Sequence, residues 1–387
     1  MSAPPAGRGA IELVFPAHKG LEYWLPDVIR RNYGKWKERR FHGYGIIEHI
    51  SETGERVFTI KVSGTPNARF SADTLLKFCD IADKYGIGAL RITTAANVEF
   101  ITDSLDKALK IKEEVEKLGF LVGGWRNTLW GINACTAFLT CQIGVTDAVS
   151  LAKAIGDQLK PYFTGEIPLP AKLRVFVSGC PNACAGGTAM DISIIGVWGA
   201  APIIREDILP VCIPPPKALA RIPESKVFMV QVCPVGALRV KRVGEKFTLE
   251  LIEARCINCV RCKDNCDAFD YEPEEVGWGI IVGGRLSNTG SGPRVGRMLI
   301  PWLPSNPPRY PEVVAVVKKI VEVWRQNARP GERIGDLIDR ISWARFTELL
   351  GLPRLPADYM YMPEHARTFM AYRWRGEWVW RRVRDAI

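Results

Sequence analysis

Two pairs of cysteines raise the question of what this chain does. In VSGCPNACAG, residues 177–186, Cys180 and Cys184 bracket a Pro-Asn-Ala step with glycines on either side. In NACTAFLTCQ, residues 133–142, Cys135 and Cys141 stand six apart. Thiolates are soft ligands for zinc and for iron–sulfur clusters, and small flanking residues let the backbone approach a bulky group closely. One C-x3-C pair alone says little, because cysteine is a common core residue. Two pairs on loops that follow different elements say more, and their four thiolates are expected to meet in one site.

A second set has tighter spacing. Cys256, Cys259 and Cys262 lie in RCINCVRCKDNC, and Cys233 precedes a proline in QVCPVGAL. Thiolates at x2 spacing on a tight loop reach successive corners of one cubane, and a remote Cys-Pro supplies the fourth, which is the arithmetic of a bacterial-type ferredoxin. Zinc also accepts four cysteines, but this spacing favours one 4Fe-4S cluster. Cys266 occupies the position that serves a second cluster in two-cluster ferredoxins; no second triplet is available, so it is expected to be free. Cys212, in PVCIPPP, reads as a buried thiol near a domain joint, and Cys79, on the stripe LLKFCDIA, as core. His18, His42, His49 and His365 have no ligand spacing.

The elements that must position these loops follow from patterning. The chain has 387 residues, 47% hydrophobic and 24% charged, enough for two or three globular domains. Residues 1–45 read as an N-terminal arm rich in Pro, Gly, Arg and aromatics. Residues 46–122 run strand, strand, helix, strand, helix, an α+β layer in which Ser71 and Gly86 bound the first helix. Residues 123–205 carry both cysteine pairs, with a helix capped by Thr146 or Asp147 and a strand in LPAKLRVFVSG. Residues 206–276 are a cysteine-dense insertion, residues 277–351 resume the second unit, and residues 352–387 form a tail. PEVVAVVKKIVEVWRQNA and ERIGDLIDRISWARFTELLG read as two helices.

Net charge is +10, from 52 Lys and Arg against 42 Asp and Glu. No basic block of six residues occurs, and the clusters KWKERR and RWRGEWVWRR read as surface or subunit contact, so an anionic cofactor and substrate are favoured over nucleic acid. No apolar run reaches the ~18 residues of a membrane span. The N-terminus lacks a secretory pattern, so the expected compartment is the reducing cytoplasm, where cysteines serve metals more than disulfides.

CTAFLTC and SGCPNACAG resemble the paired motifs of the sulfite and nitrite reductase family. The resemblance implies that Cys135, Cys141, Cys180 and Cys184 bind a 4Fe-4S cluster and that Cys184 bridges it to the iron of a sirohaem. A ferredoxin domain inserted after these motifs, with Cys233, Cys256, Cys259 and Cys262 on a second 4Fe-4S cluster, is similar to the dissimilatory sulfite reductases. RNYGKWK, FCDIADKYG, RITTAANVEF and NPPRYPEVV favour the beta-subunit branch. The implied fold is an α+β half-unit with a ferredoxin-like layer and the inserted ferredoxin domain. The implied reaction is six-electron reduction of sulfite to sulfide. The implied partners are a homologous alpha subunit in an α2β2 heterotetramer, a small sulfur-carrier protein and an electron donor.

Substrate cations in the family come from two strands. Arg91 lies near the first, but Ala95 stands where relatives commonly place arginine; Lys172 and Arg174 in PAKLRVF lie two apart, on one face of the second. The C-x5-C form of the first loop is a further departure, resembling alpha subunits and assimilatory enzymes. The alternatives are therefore an assimilatory-type sulfite or nitrite reductase, or a structural or electron-transfer subunit whose sirohaem is not catalytic.

Overall fold

Alternating apolar and polar residues from Ile46 onward form strands, as period-two patterning requires. The computed structural model describes residues 25–244, 246–287, 292–353 and 376–387; residues 1–24 of the expected arm and 354–375 of the expected tail lie outside the described residues. Strands β1 (Trp36–Phe41), β2 (Ile46–Ser51), β3 (Arg56–Val62), β4 (Leu90–Ile92) and β5 (Val98–Thr102) form an antiparallel sheet in the order β1-β2-β3-β5-β4. Helices α1 (Ala72–Tyr85) and α2 (Leu105–Lys117) begin at Ser71 and Ser104, whose hydroxyls accept from Thr74 N and Lys107 N. Phe78, Ile81, Ala108, Ile111 and Val115 from these helices pack on Ile60, Val62, Val98 and Phe100.

Three local readings change here. Part of the expected arm is β1, an edge strand whose exposed charged residues discourage further strand addition. The run ALRITTAANVEFIT is not one strand but the hairpin β4–β5, turned at Ala96 with φ +59°. Cys79 on α1 is exposed rather than core.

The second sheet starts with β6 (Leu129–Ala134), β7 (Leu173–Ser178) and β8 (Ile192–Trp198), all parallel neighbours, with α3 (Ala148–Thr164) crossing between β6 and β7. Of the two candidate caps of α3 it is Asp147 that accepts from Val149 N and Ser150 N. After β8 comes the cysteine-dense segment. It contains β9 (Ile203–Ile204), the hairpin β10 (Leu238–Val243) and β11 (Lys246–Leu251), the short helix α4 (Arg261–Asn265) and β12 (Phe269–Asp270), which pairs with β9. This segment has a small core of its own around Leu209, Met229, Leu238, Leu249 and Phe269.

The chain then returns to the second sheet as β13 (Val276–Val282), antiparallel to β8, and β14 (Arg297–Ile300), giving the order β14-β13-β8-β7-β6. Helix α5 (Pro311–Asn327) packs beside α3 on a core of Leu151, Ile155, Val175, Ile194, Val317 and Trp324. The expected second helix is two, α6 (Ile334–Ile341) and α7 (Trp343–Leu349), because Ser342 takes φ +76° and caps Arg345 N. The helix Gly376–Val383 at the end of the tail packs on this chain's own core through the fully buried Val383.

Cys266 is not free. It is disulfide-bonded to Cys212, with 5.8 Å between the Cα atoms. The chain turns back on itself through the β9–β12 pairing, which carries Cys266, just before β12, to Cys212, shortly after β9. Spacing within one motif cannot report such a closure.

Candidate functional site

The parallel pairing of β6 and β7 explains how the first two cysteine pairs meet. Asn133 and Ala134 of β6 lie opposite Phe176 and Val177 of β7, so Cys135 and Cys180 leave the same, C-terminal edge of neighbouring strands. That edge is where open sheets with parallel strands place ligands. Cys135 N donates to Val177 O at 3.1 Å, and Gly179 N donates to Cys135 Sγ at 3.1 Å. A Cβ on Gly179 would collide with Ala137 Cβ and the Thr146 carbonyl oxygen, so glycine lets the loops close on each other. Non-glycine residues in left-handed conformation lie inside both loops, Phe138 at φ +66° and Ala183 at φ +54°. Such strain persists where the surroundings enforce it.

Burial pushes the Cys180 thiol up to about 11, and the nearby thiols of Cys135, Cys184 and Cys141 add to the shift. Cys180 therefore lies within electrostatic reach of the other three sulfurs. Cys184 is the exposed member. In the inserted segment, burial pushes Cys262 up to about 12, with Cys256, Cys259 and Cys233 acting in the same direction. Its ligand loop holds Asn258 at φ +50° and Val260 at φ +57°, and Cys233 Sγ accepts from Ala237 N at 3.1 Å. Amide hydrogen bonds to sulfur favour the thiolate that a metal needs. Among the described residues no group of three or more His, Cys, Asp or Glu closes on a single ion. A cubane takes one thiolate at each iron, so its four sulfurs surround a cluster rather than close on a single ion, and the donor chemistry of both quartets suits 4Fe-4S clusters.

The cations are elsewhere. Lys172 just precedes β7 and Arg174 is its second residue, whereas Cys180 lies two residues beyond its end, so about 13 Å of strand plus a bend separates Arg174 from Cys180. Both cations face the Trp130 ring, at 4.9 and 5.5 Å from its centroid. Burial, then Arg333 and Arg174, hold Lys172 below its usual range. Lys61, which sequence reasoning missed, joins them. Its ammonium lies 3.8 Å from the Trp125 ring centroid and 4.7 Å from that of Trp130, and donates to Gly124 O at 2.8 Å. Burial lowers it to about 7, with Glu99 opposing and Arg174 and Arg91 reinforcing the shift. Arg91 is exposed and paired with Glu99 at 3.1 Å. The only hint of Lys61 in sequence was a lysine inside the strand RVFTIKVSG, a position more often on a solvated edge.

Behind this face, buried Asp191 accepts from Arg333 Nε at 2.6 Å, Arg333 Nη2 at 2.5 Å and Arg174 N at 2.8 Å. The arrangement combines two thiolate sites with a cationic face remote from the first of them. Such a face favours an anion, whose charge would relieve the repulsion among its members.

Comparison with known proteins agrees with this architecture. Residues 125–356 match the nitrite and sulphite reductase 4Fe-4S domain, and residues 49–118 the nitrite/sulfite reductase ferredoxin-like half domain. The chain is 35% identical to the dissimilatory-type sulfite reductase subunit beta of Archaeoglobus fulgidus, over 90% of this chain and 93% of that one. It is 32% identical to the beta subunit of Nitratidesulfovibrio vulgaris, over 86% and 87%. The alpha subunit of Allochromatium vinosum is 24% identical over 89% and 80%. The crystal structure of dissimilatory sulfite reductase I superposes with a TM-score of 0.71 at 21% identity, covering 83% of this chain and 78% of that one, which speaks for the fold. Despite the alpha-like first cysteine loop, the higher identity lies with beta subunits, and the chain belongs to the nitrite and sulphite reductase family as a dissimilatory-type sulfite reductase beta subunit.

Proposed function

We propose that this oxidoreductase subunit takes part in the six-electron reduction of sulfite to sulfide, with Cys135, Cys141, Cys180 and Cys184 holding a 4Fe-4S cluster that Cys184 shares with a sirohaem. When bound, that pair of groups would store and deliver the electrons, which side chains cannot do. The observation that carries the reading is the convergence of both cysteine pairs at the same edge of β6 and β7, zipped by the Gly179 N–H to Cys135 Sγ contact. Cys233, Cys256, Cys259 and Cys262 would hold a second 4Fe-4S cluster, which when bound would supply one-electron chemistry between an external donor and this chain.

Lys172, Arg174 and Arg91 bind and orient the anion, and the Lys172 ammonium supplies protons as oxygen leaves sulfur, while the two guanidiniums keep theirs. Because Lys172 and Arg174 stand a strand's length from Cys180, they serve the haem attached to a partner's cluster. That partner is a homologous alpha subunit in an α2β2 assembly, of the kind whose existence the alpha-subunit relatives document. A small sulfur-carrier protein receives the product, and the working compartment is the cytoplasm. Among the described residues no helix is long and apolar enough to cross a membrane.

Ala95, buried at 6% exposure where relatives commonly carry arginine, favours one second reading, in which the sirohaem held by this chain is structural and the catalytic one is built elsewhere in the assembly. Anaerobic purification after expression with sirohaem supply, alone and with a homologous alpha subunit, tests the proposal. The expected result is sirohaem absorption, iron for two clusters per chain, and stability that depends on the partner. A stable lone chain that reduces sulfite at full rate would overturn the shared-site arrangement.

A further inference from the structure

The two cysteine quartets meet through a specific joint. β8 ends at Trp198, whose indole lies flat against the ring of Tyr271, with centroids 4.0 Å apart and planes within 1°. Both residues are buried, at 9% and 5% exposure. They belong to one contiguous buried cluster that also contains Cys180, from the first quartet, and Val260, from the ligand loop of the second. The same joint is fastened by a hydrogen bond, Asn258 Nδ2 donating to Trp198 O at 3.1 Å, and Asn258 lies between Cys256 and Cys259. Tyr271 is also within electrostatic reach of Cys262, Cys256 and Cys259, which reinforce the effect of burial in holding its hydroxyl proton.

The polar atoms of the pair make no use of this position. Trp198 Nε1 and Tyr271 Oη are buried without a hydrogen-bond partner. Stranding a buried donor is unfavourable, and leucine or phenylalanine would avoid that cost. What the rings contribute is broad, close-packed π surface filling the space between the quartets.

We propose that the Trp198–Tyr271 stack is the contact through which electrons pass from the cluster of the inserted segment to the cluster held by Cys135, Cys141, Cys180 and Cys184. In each passage the donor cluster is oxidised by one electron and the acceptor reduced by one. No bond forms or breaks, and the rings are not themselves oxidised. They act as a continuous medium in van der Waals contact, across which electronic coupling is stronger than across a void or a small side chain. The inference rests on the proposed function, since it requires both clusters.

The test uses the anaerobically purified holoprotein co-expressed with its alpha subunit. A flash-generated deazaflavin radical delivers single electrons, and transient absorption follows their arrival at the sirohaem. The phase that does not depend on protein concentration reports intramolecular transfer. Trp198→Leu and Tyr271→Leu are expected to slow that phase severalfold, with iron content, sirohaem content and the EPR signal of the inserted segment's cluster unchanged. Tyr271→Phe and Trp198→Phe, which keep a ring, are expected to retain most of the rate. Leucine variants with an unchanged intramolecular rate would overturn the proposal. So would loss of cluster iron in them, which would make the pair a structural support. Absence of sirohaem absorption in the unsubstituted protein would instead refute the proposed function, before any variant is compared.

Discussion

Lys61 sits where its charge is opposed. Only 2% exposed, it keeps one hydrogen bond, to Gly124 O, and two tryptophan faces in place of water. Its pKa of about 7 lies below the unfolded value, so the folded chain binds fewer protons than the unfolded chain between about pH 7 and 10. The penalty is full below pH 7 and fades as pH rises toward 10. Lys61→Met is therefore expected to stabilise the protein at pH 7, and the advantage should shrink by on the order of 2 kcal/mol by pH 9. Denaturant titrations of both proteins at the two pH values measure this; an advantage that does not change with pH would contradict it. Asp191 makes a second prediction. Three donors, two of them from Arg333, satisfy a carboxylate with no exposure, and Asp191→Asn leaves that guanidinium poorly paired in the interior. A loss of about 3–5 kcal/mol in unfolding free energy is expected. The grouping of the cysteines into two quartets was legible in sequence because spacing within a motif is local, whereas the exposure of Cys79 and the bond of Cys266 to Cys212 were not. Lys61 and Trp130 were not, because the face they share with Arg174 is assembled from strands far apart along the chain.

At the scale of elements, periodicity and caps located most helices and strands, and the failures were local breaks. Ala96 and Ser342 adopt left-handed backbone although neither is glycine, so nothing in composition marks the hairpin turn or the division between α6 and α7. The Cys212–Cys266 disulfide was hidden for a different reason, since it depends on β9 pairing with β12. Its 54-residue separation encloses Cys233, Cys256, Cys259 and Cys262, so it ties together the ends of the segment that carries the whole second quartet. Constraining a loop of that length stabilises by up to about 4 kcal/mol in the chain-entropy account. The double variant Cys212→Ser, Cys266→Ser should lower the resistance of the inserted segment to limited proteolysis while leaving the first sheet unaffected. Alkylation after denaturation without reductant should leave Cys212 and Cys266 unlabelled, and labelling of both would contradict the crosslink.

In the molecule as a whole, two thiolate sites, a cationic face and a partner combine in the proposed function. The chain's own cations and its first cysteine quartet lie at opposite ends of β7, which is why a single copy does not complete the proposed site. The overall +10 charge suits an anionic cofactor and substrate. The central claim is that Cys184, the exposed thiol of its quartet, couples the cluster to sirohaem. The most direct measurement compares the unsubstituted protein with Cys184→Ser, each co-expressed with a homologous alpha subunit and purified without oxygen, by absorption spectroscopy and by EPR. The variant is expected to lose the sirohaem absorption contributed by this chain while the EPR signal of the cluster on Cys233, Cys256, Cys259 and Cys262 persists. Undiminished sirohaem absorption in Cys184→Ser, with sulfite reduction intact, would contradict it.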